Sequence, residues 1–388
     1  MLIRLSIYSF LVAITISCNN TENLSKQKLL GEWELITENS ARNKLTNFPF
    51  GIGFTPDSVE FFDGFVEEVM DSITGKDNYQ YFGNFTPYKI QSDSIYIKNV
   101  LDDSWSYWSS FVKVEQDTLI LTGKDSTELK YVRIHYNLSE SPEFDQIIHS
   151  TTGCYGSCPM MDISVNQDVS LLFQGEGYTN VLGFFGGRLT KSQTEYIFNK
   201  FRKANISNLD NNYEVGHTDD TEITTTFIKE GRIIKTISDY GMAGPKELIW
   251  AYVPISGVYE QVALDSIPND EPFYPKLHYY TFLKDSLILS LKKSESFYLW
   301  TELRDSQTVD TSFMATYELG FRRNYTYWGP DPNEKRQHER KLRKVDTDGR
   351  YFSFHFENDV TVTYDLGYDF VDKNFDRKDF RKPESWEL

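Results

Sequence analysis

In this 388-residue chain, the residues with the clearest capacity for chemistry are two cysteines, Cys154 and Cys158. They lie in the hexapeptide CYGSCP at 154–159, and thiols at this spacing can close a disulfide, exchange disulfides or bind a soft metal ion. Gly153 and Pro159 favour a turn, which can bring the two Cα atoms within the distance that a disulfide requires. The sequence therefore predicts a disulfide-closed loop between two strands.

A redox or copper-handling role for the two cysteines is the first alternative. Their C-x-x-x-C-P spacing is similar to that of thioredoxin-fold copper chaperones, in which two thiolates and a distant histidine hold the metal. His149 and His217 are the candidate third ligands here. In that fold the motif precedes a helix that lowers a thiol pKa, whereas residues 161–165 alternate as a strand. We therefore expect no metal and no cofactor at this loop.

A second polar cluster comprises Tyr213, His217, Asp219 and Asp220. A histidine beside two carboxylates can act as general acid, general base or weak metal ligand, so a hydrolase is the second alternative. The same residue types populate turns because they hydrogen-bond locally. The chain also has no Gly-x-Ser-x-Gly elbow and no His-Glu-x-x-His motif, so we assign no catalytic residue.

Both clusters depend on a central domain, which we place at residues 144–265. Alternating segments predict strands at 145–150, 161–165, 169–173, 221–228 and 233–239. Thr190 or Ser192 can cap a helix near 190–204, and Pro245 can open a second helix. The expected architecture is α+β, with helices packed on an antiparallel sheet.

This central segment resembles a known family. The CYGSCP loop, the following Gly175-x-Gly177, the helix and the Thr218-Asp219 segment are similar to a bacterial domain of unknown function that is marked by a CYGxCP loop. The resemblance spans about residues 145–262. That family is common in predicted lipoproteins and has no established activity, so the resemblance implies an architecture rather than a reaction.

Residues 29–136 form a separate predicted domain, made of strands without the helices of the central domain. Strands are predicted at 58–62, 79–82, 88–91, 94–98, 105–114 and 118–122. Gly31-x-Trp33 resembles the lipocalin signature, especially that of small lipocalin-like domains of bacterial lipoproteins. The resemblance implies a barrel whose floor Trp33 closes against a cation from a late strand, here Arg133. The lumen holds either a small apolar or glycan ligand or large side chains, for which the candidates are Trp105, Trp108, Phe111, Phe61 and Phe82.

Residues 266–388 form a third, aromatic region after a cluster of prolines at 268, 272 and 275. A helix is predicted at 294–303, with strands at 278–283, 313–321, 351–356 and 360–364. Helix followed by hairpin repeats the order of the central domain, so a diverged repeat is a hypothesis. The basic run at 335–344 favours a solvated surface, with anionic lipid headgroups or a polyanionic glycan as alternative contacts.

The N-terminus predicts export. Residues 1–17 carry Arg4 before an apolar stretch that is too short to span a bilayer, as in a signal peptide. Residues 14–18 resemble a bacterial lipobox, with Thr15 where the commonest form has Leu. The resemblance implies acylation of Cys18 and a flexible tether at 18–28; an ordinary secretory signal is the alternative.

Composition restricts the function further. Aromatic residues make up 15% of the chain, which favours folded β-rich domains, and the net charge of −17 argues against nucleic acid as a partner. The sequence therefore predicts an α+β, β-rich protein of three domains that is anchored to the membrane of a bacterial cell envelope and faces the periplasm or the exterior. We expect a binding or structural module, and the oligomeric state is left open.

Overall fold

The computed structural model describes residues 26–36, 50–70, 77–124, 126–138, 143–268, 277–323, 342–357 and 359–384. The chain divides into two compact units, one of residues 1–137 with 252–261 and one of residues 138–251 with 262–388. The predicted fold class, α+β and rich in antiparallel strands, is confirmed. The predicted boundaries of three domains stay a prediction. Within the described ranges, no helix has the length and hydrophobicity that a membrane crossing requires.

The first unit is built on a closed barrel of eight strands, in the order β1-β10-β9-β8-β7-β6-β3-β2. Its strands are β1 (Gly31–Leu35), β2 (Gly51–Phe54), β3 (Ser58–Phe61), β6 (Phe85–Gln91), β7 (Ser94–Lys98), β8 (Trp105–Glu115), β9 (Thr118–Thr122) and β10 (Glu128–Arg133). Strands β4 (Val66–Met70) and β5 (Asp77–Tyr81) pair as a separate ribbon. The strand predicted at 79–82 therefore exists, but it lies outside the barrel.

Apolar side chains pack together in the barrel interior. Leu119 and Leu121 alternate inward on β9, and Trp108 on β8 joins them. Two of the predicted filling residues, Phe61 and Phe111, pack against this cluster, but Trp105 is 43% exposed and belongs to the outer surface. The buried members are Leu29, Trp33, Leu35, Ile52, Phe54, Val59, Tyr88, Ile90, Ile95, Trp108, Leu119, Leu121, Leu129 and Tyr131.

The second unit contains a central sheet of eight strands, in the order β15-β17-β16-β11-β12-β13-β14-β18. These are β11 (Gln146–Thr151), β12 (Met160–Asn166), β13 (Ser170–Gly177), β14 (Gly183–Arg188), β15 (Asn212–Glu214), β16 (Glu222–Lys229), β17 (Arg232–Tyr240) and β18 (Leu264–Ser266). All neighbours are antiparallel except β15 and β17. Tyr213, a member of the polar cluster for which turns were considered, thus lies on a short parallel edge strand.

Helices cover the central sheet on both faces. Helix α1 (Lys191–Lys203) starts at Thr190, whose side chain accepts from the Gln193 N–H in the predicted capping box. On one face of the sheet its buried Phe198 stacks on Phe144, and its buried Phe201 packs edge-to-face with Phe227. Helix α2 (Lys246–Gly257) follows Pro245, and helix α3 (Lys293–Asp305) packs on β11 and β16.

A third sheet completes the second unit, in the order β20-β19-β22-β23-β24-β25-β21. Its strands are β19 (Leu277–Lys284), β20 (Leu287–Ser290), β21 (Gln307–Val309), β22 (Tyr317–Arg323), β23 (Leu342–Thr347), β24 (Tyr351–Phe356) and β25 (Thr361–Asp365), with the short helix α4 (Phe370–Asn374) after them. The strand predicted at 313–321 begins only at Tyr317. Helix α3 joins the two sheets, because one apolar cluster contains Ile148 of the central sheet, Trp300 of α3 and Phe352 of β24. Most of the basic run at 335–344 lies outside the described residues.

Candidate functional site

Four loops lie at one end of the central sheet, which we call the loop end. Because neighbouring strands are antiparallel, β11 and β13 run towards this end and β12 and β14 run away from it. By the same argument β16 leaves the loop end and β17 returns to it. The loop end therefore consists of residues 152–159, 178–182, 215–221 and 241–245.

The cysteine loop is closed and docked at the loop end. The Sγ atoms of Cys154 and Cys158 lie at disulfide-bonding distance, and their Cα atoms are 5.6 Å apart. The Gly156 N–H donates to the Cys154 carbonyl at 2.8 Å, which tightens the turn. Tyr155 is 91% exposed at the tip. The loop is thus a tight turn that presents one aromatic ring to solvent.

The structure brings the two polar clusters predicted from the sequence into contact. The Tyr155 N–H donates to the Asp219 carbonyl at 2.9 Å. Beneath this contact, the Thr221 hydroxyl donates to the Thr152 carbonyl at 2.6 Å. The Glu222 N–H donates in turn to the Thr152 hydroxyl at 2.9 Å. The loops at 152–159 and 215–221 therefore support one another.

His217 and Asp220 form the only side-chain pair within the predicted cluster of four, among the interactions of the described residues. The His217 Nε2 and Asp220 Oδ2 atoms are 3.0 Å apart, and the histidine is exposed. Asp219 adopts a left-handed turn conformation with φ 77°. The Tyr213 hydroxyl instead accepts from the Asp210 N–H at 2.9 Å. The cluster is a hydrogen-bonded surface turn, and Tyr213 is not part of its pair.

Exposed apolar side chains surround the cysteine loop at the loop end. Tyr178, Val181 and Leu182 are exposed on the loop at 178–182, and Met242 is exposed on the loop at 241–245. The Thr179 hydroxyl donates to the Val181 carbonyl at 2.7 Å, which orders the first of these loops. Together with Tyr155 they make an exposed apolar set on three of the four loops of the loop end.

The comparisons with known proteins concern this central segment. A family model described as a domain of unknown function, DUF6438, matches residues 145–259. Residues 145–259 are a DUF6438 domain. It contains strands β11 to β17, helices α1 and α2 and all four loops of the loop end. Neither a curated protein nor a solved structure matches the chain.

A buried charged cluster lies directly beneath the loop end of the DUF6438 domain. Asp162 on β12 and Glu176 on β13 face Lys293, the first residue of α3, which lies outside the DUF6438 segment. The Lys293 Nζ atom is 3.4 Å from Asp162 Oδ2 and 3.0 Å from Glu176 Oε1. The side chains of Lys293, Asp162 and Glu176 are only 3%, 1% and 6% exposed. Sequence reasoning missed all three residues.

The backbone of the DUF6438 domain holds the lysine in place. Lys293 Nζ donates to the Thr151 carbonyl at 3.0 Å and to the Met161 carbonyl at 3.2 Å. Neither carboxyl oxygen of Asp162 accepts a hydrogen bond of normal geometry within the described residues. Asp162 belongs to a row of polar side chains on adjacent strands, namely Gln174, Asp162, Ser150, Thr224 and Ser238.

Burial shifts the protonation of this cluster. Removal from water raises the pKa of Asp162 well above its usual range; Lys293 opposes the shift and Glu176 adds to it. Burial alone would lower the pKa of Lys293, but the Asp162 and Glu176 charges outweigh it and raise that pKa. Burial therefore favours the neutral, protonated form of Asp162 beside the Lys293 ammonium group.

His149, the other histidine considered as a metal ligand, is fully buried on β11 of the DUF6438 domain. Its Nδ1 atom lies 3.1 Å from the Thr225 hydroxyl. Burial, and then the charge of Lys293, lower its pKa to about 3. In the part of the chain that the structure describes, no three His, Cys, Asp or Glu side chains are arranged to hold a metal ion.

The residues of the barrel signature lie together in the first unit. Trp33 and Arg133 are direct partners on β1 and β10, and the Arg133 guanidinium carbon is 4.0 Å from the centre of the Trp33 ring. The guanidinium also donates to the Leu30 carbonyl at 2.7 Å, and Trp33 Nε1 donates to the Leu29 carbonyl at 2.8 Å. Gly31 has a φ of 118°, a conformation that favours glycine. Cys18, the predicted lipidation site, lies outside the described residues.

A groove of about 630 Å³ is lined by residues of β8, β9 and β10 on the barrel surface. Its lining includes Lys113, Lys130, Glu115 and Glu128, all of them exposed charged side chains. Mixed charges of this kind do not suit the small apolar ligand considered from the sequence. The loop end of the DUF6438 domain is therefore the stronger candidate for recognition.

Proposed function

We propose that this protein is an exported, lipid-anchored binding module of the cell envelope, and that the loop end of the DUF6438 domain is its contact surface. The signal-like residues 1–17 and the lipobox-like segment ending at Cys18 support export and anchoring. The net charge of −17 suits a soluble body outside the cell.

Tyr155 is the observation that carries the binding proposal. An aromatic side chain that is 91% exposed leaves apolar area in water. Its loop is closed by Cys154 and Cys158 and bonded to Asp219, so little conformational entropy is lost when the ring is covered. Tyrosines on pre-organised loops are efficient contact residues for this reason.

The occupant that fits this surface is another protein of the envelope. Tyr155, Leu182 and Met242 are all more than half exposed, whereas small-ligand sites are concave and enclose their ligands. Aromatic residues and methionine are also enriched in the centres of protein interfaces. The barrel interior is packed with side chains, so we place the contact at the loop end rather than in the lumen.

Binding is favoured over the two alternative chemistries. His217 and Asp220 lie on a surface turn, where water screens the interaction between their side chains. A closed Cys154–Cys158 pair presents no thiolate to a metal ion, and both candidate histidines are engaged elsewhere, His149 with Thr225 and His217 with Asp220.

Site-specific photo-crosslinking in the native cell tests the proposal. We expect p-benzoylphenylalanine at position 155 to give a discrete protein adduct on irradiation. The matched control is position 314, because Met314 is 88% exposed but lies outside the loop end. The C154S/C158S variant should give less adduct, since its loop is no longer pre-organised. Equal adducts at 155 and 314, or none at 155, would contradict the proposed surface.

A further inference from the structure

We propose that Lys293 and Asp162 condense to an intramolecular amide bond, with Glu176 as the proton-transfer group, so that helix α3 becomes covalently joined to strand β12. The three side chains meet in a site that is closed to solvent, and the lysine nitrogen is within 3.4 Å of both carboxyl groups. Two groups that the fold holds side by side react in an effectively unimolecular step, because the entropy cost of bringing them together was already met during folding.

Charge favours the reaction. The cluster contains one ammonium group and two carboxyl groups, and burial raises the pKa of Asp162, which favours the protonated acid that the reaction requires. The carboxyl charges raise the pKa of Lys293, so its amine becomes neutral only when a carboxylate takes the proton. Transfer of one ammonium proton to Glu176 gives a neutral amine and two neutral acids, a state without the desolvation cost of buried ions. The N-terminal end of α3 also disfavours a cation, because the helix dipole is positive there.

The hydrogen bonds of Lys293 orient its amine towards the two carboxyl groups. A neutral Lys293 keeps two N–H groups, and the two carbonyls within reach, those of Thr151 and Met161, can accept both of them. The remaining lone pair is left for the side of the nitrogen that faces the carboxyl groups. A buried, deprotonated lysine amine is a competent nucleophile.

The step balances without an oxidant or a co-reactant. The Nζ lone pair attacks Cγ of protonated Asp162, a C–N bond forms, and the Cγ–OH bond breaks. The departing hydroxyl takes the second amine proton through Glu176 and leaves as water. One amide, one water and a protonated Glu176 result, so a buried ion cluster with poorly satisfied Asp162 oxygens is replaced by neutral groups.

Peptide mass spectrometry of the full chain tests the bond directly. The protein is unfolded, reduced and digested with trypsin after circular dichroism has shown that it is folded. We expect a branched peptide that contains both Asp162 and Lys293, with a mass lower than the sum of its parts by one water. Trypsin should fail to cut after Lys293, because its amine is acylated.

Three variants assign the roles. Glu176→Gln keeps both reacting side chains and should leave them unlinked, and Lys293→Arg should do the same. The matched control is Lys292→Arg, since Lys292 lies next in sequence but pairs with Glu222 at 3.7 Å; this variant should keep the branched peptide. The digest of the wild-type protein shows whether the amide bond forms, even where a variant does not fold. Folded wild-type protein that yields unmodified, unlinked Asp162 and Lys293 peptides would overturn the proposal.

Discussion

Trp33 shows how much one residue contributes to the barrel. Its ring is fully buried, the Arg133 guanidinium lies against its face, and its Nε1–H donates to the Leu29 carbonyl. Removing the ring would leave a large cavity and a partly buried cation without its aromatic contact. The packing of this one side chain therefore joins the first and last strands of the barrel.

We expect Trp33→Ala to lower the free energy of unfolding of the barrel by about 3–5 kcal/mol, the usual cost of deleting a buried aromatic side chain. Urea unfolding followed by circular dichroism measures it. The control is Trp105→Ala, because Trp105 is 43% exposed and its ring lies beside the Lys89 ammonium group, with 4.4 Å between Nζ and the ring centre. That variant should cost less than about 1 kcal/mol. Equal costs would mean that Trp33 does not close the barrel.

The cysteine pair makes a smaller, local contribution. The C154S/C158S variant should lower the local stability of β11 and β12 by about 2 kcal/mol, because a short closed loop restricts the unfolded chain only modestly. Hydrogen exchange of the β11 and β12 amides measures the change without requiring the whole chain to unfold. Unchanged protection in these strands would show that the bond only shapes the loop.

Some of these residues could be predicted from the sequence and others could not. Cys154 and Cys158 are close in sequence, and turn residues flank them, so their closure follows from local geometry. Asp162, Glu176 and Lys293 come from two strands and a helix that is distant in sequence. No local sequence pattern indicates that these three side chains come together, because their contact depends on how α3 packs on the sheet.

At the scale of elements, local signals predicted most of the fold. Thr190 and Gln193 fix the start of α1, and the turn at Glu230 and Gly231, both with positive φ, joins β16 to β17 as expected. The sequence analysis placed β5 in the barrel and missed β4, because an exposed strand pair carries the same alternation as a barrel strand. The alternation at 161–165 predicted a strand correctly, but it did not show that Lys293 of α3 would lie against its polar side.

Strand β11 should also make the central sheet sensitive to acid through His149. Its pKa is about 3 in the folded protein and 6.5 in a free chain, so the unfolded state binds more protons between these values. Stability is therefore lost as the pH falls from 6.5 towards 3, by about 1.4 kcal/mol per pH unit.

Hydrogen exchange of the β11 amides at several pH values measures this slope, and His149→Asn is the control. Asp162, whose raised pKa acts with the opposite sign wherever its carboxyl is free, is the same in both proteins, so the difference in slope reports His149. We expect a flatter pH dependence in the variant. Identical slopes would mean that His149 is protonated in the folded protein.

At the scale of the whole molecule, the sequence predicted three segments of different character, and each has its own sheet in the structure. Contacts group them into two compact units, since the central and third sheets share one apolar cluster around α3. That sharing could not be predicted, because it rests on side chains far apart in sequence, such as Ile148 and Phe352.

The anchoring proposal makes a prediction for the whole molecule. Cys18→Ala should release the protein from the membrane fraction, because the proposed anchor requires acylation at this residue. Metabolic labelling with a palmitate analogue should mark the wild-type protein and not the variant. A wild-type protein that is soluble and unlabelled would instead support an ordinary secretory signal.

Hydroxyl-radical footprinting of Tyr155 tests the central claim, that the loop end is covered by a partner in the cell. Tyr155 and Met314 are 91% and 88% exposed, so both should be oxidised readily in the purified protein. In intact cells we expect Tyr155 to be strongly protected while Met314 is oxidised as before. Equal oxidation of Tyr155 in cells and in the purified protein would contradict the account.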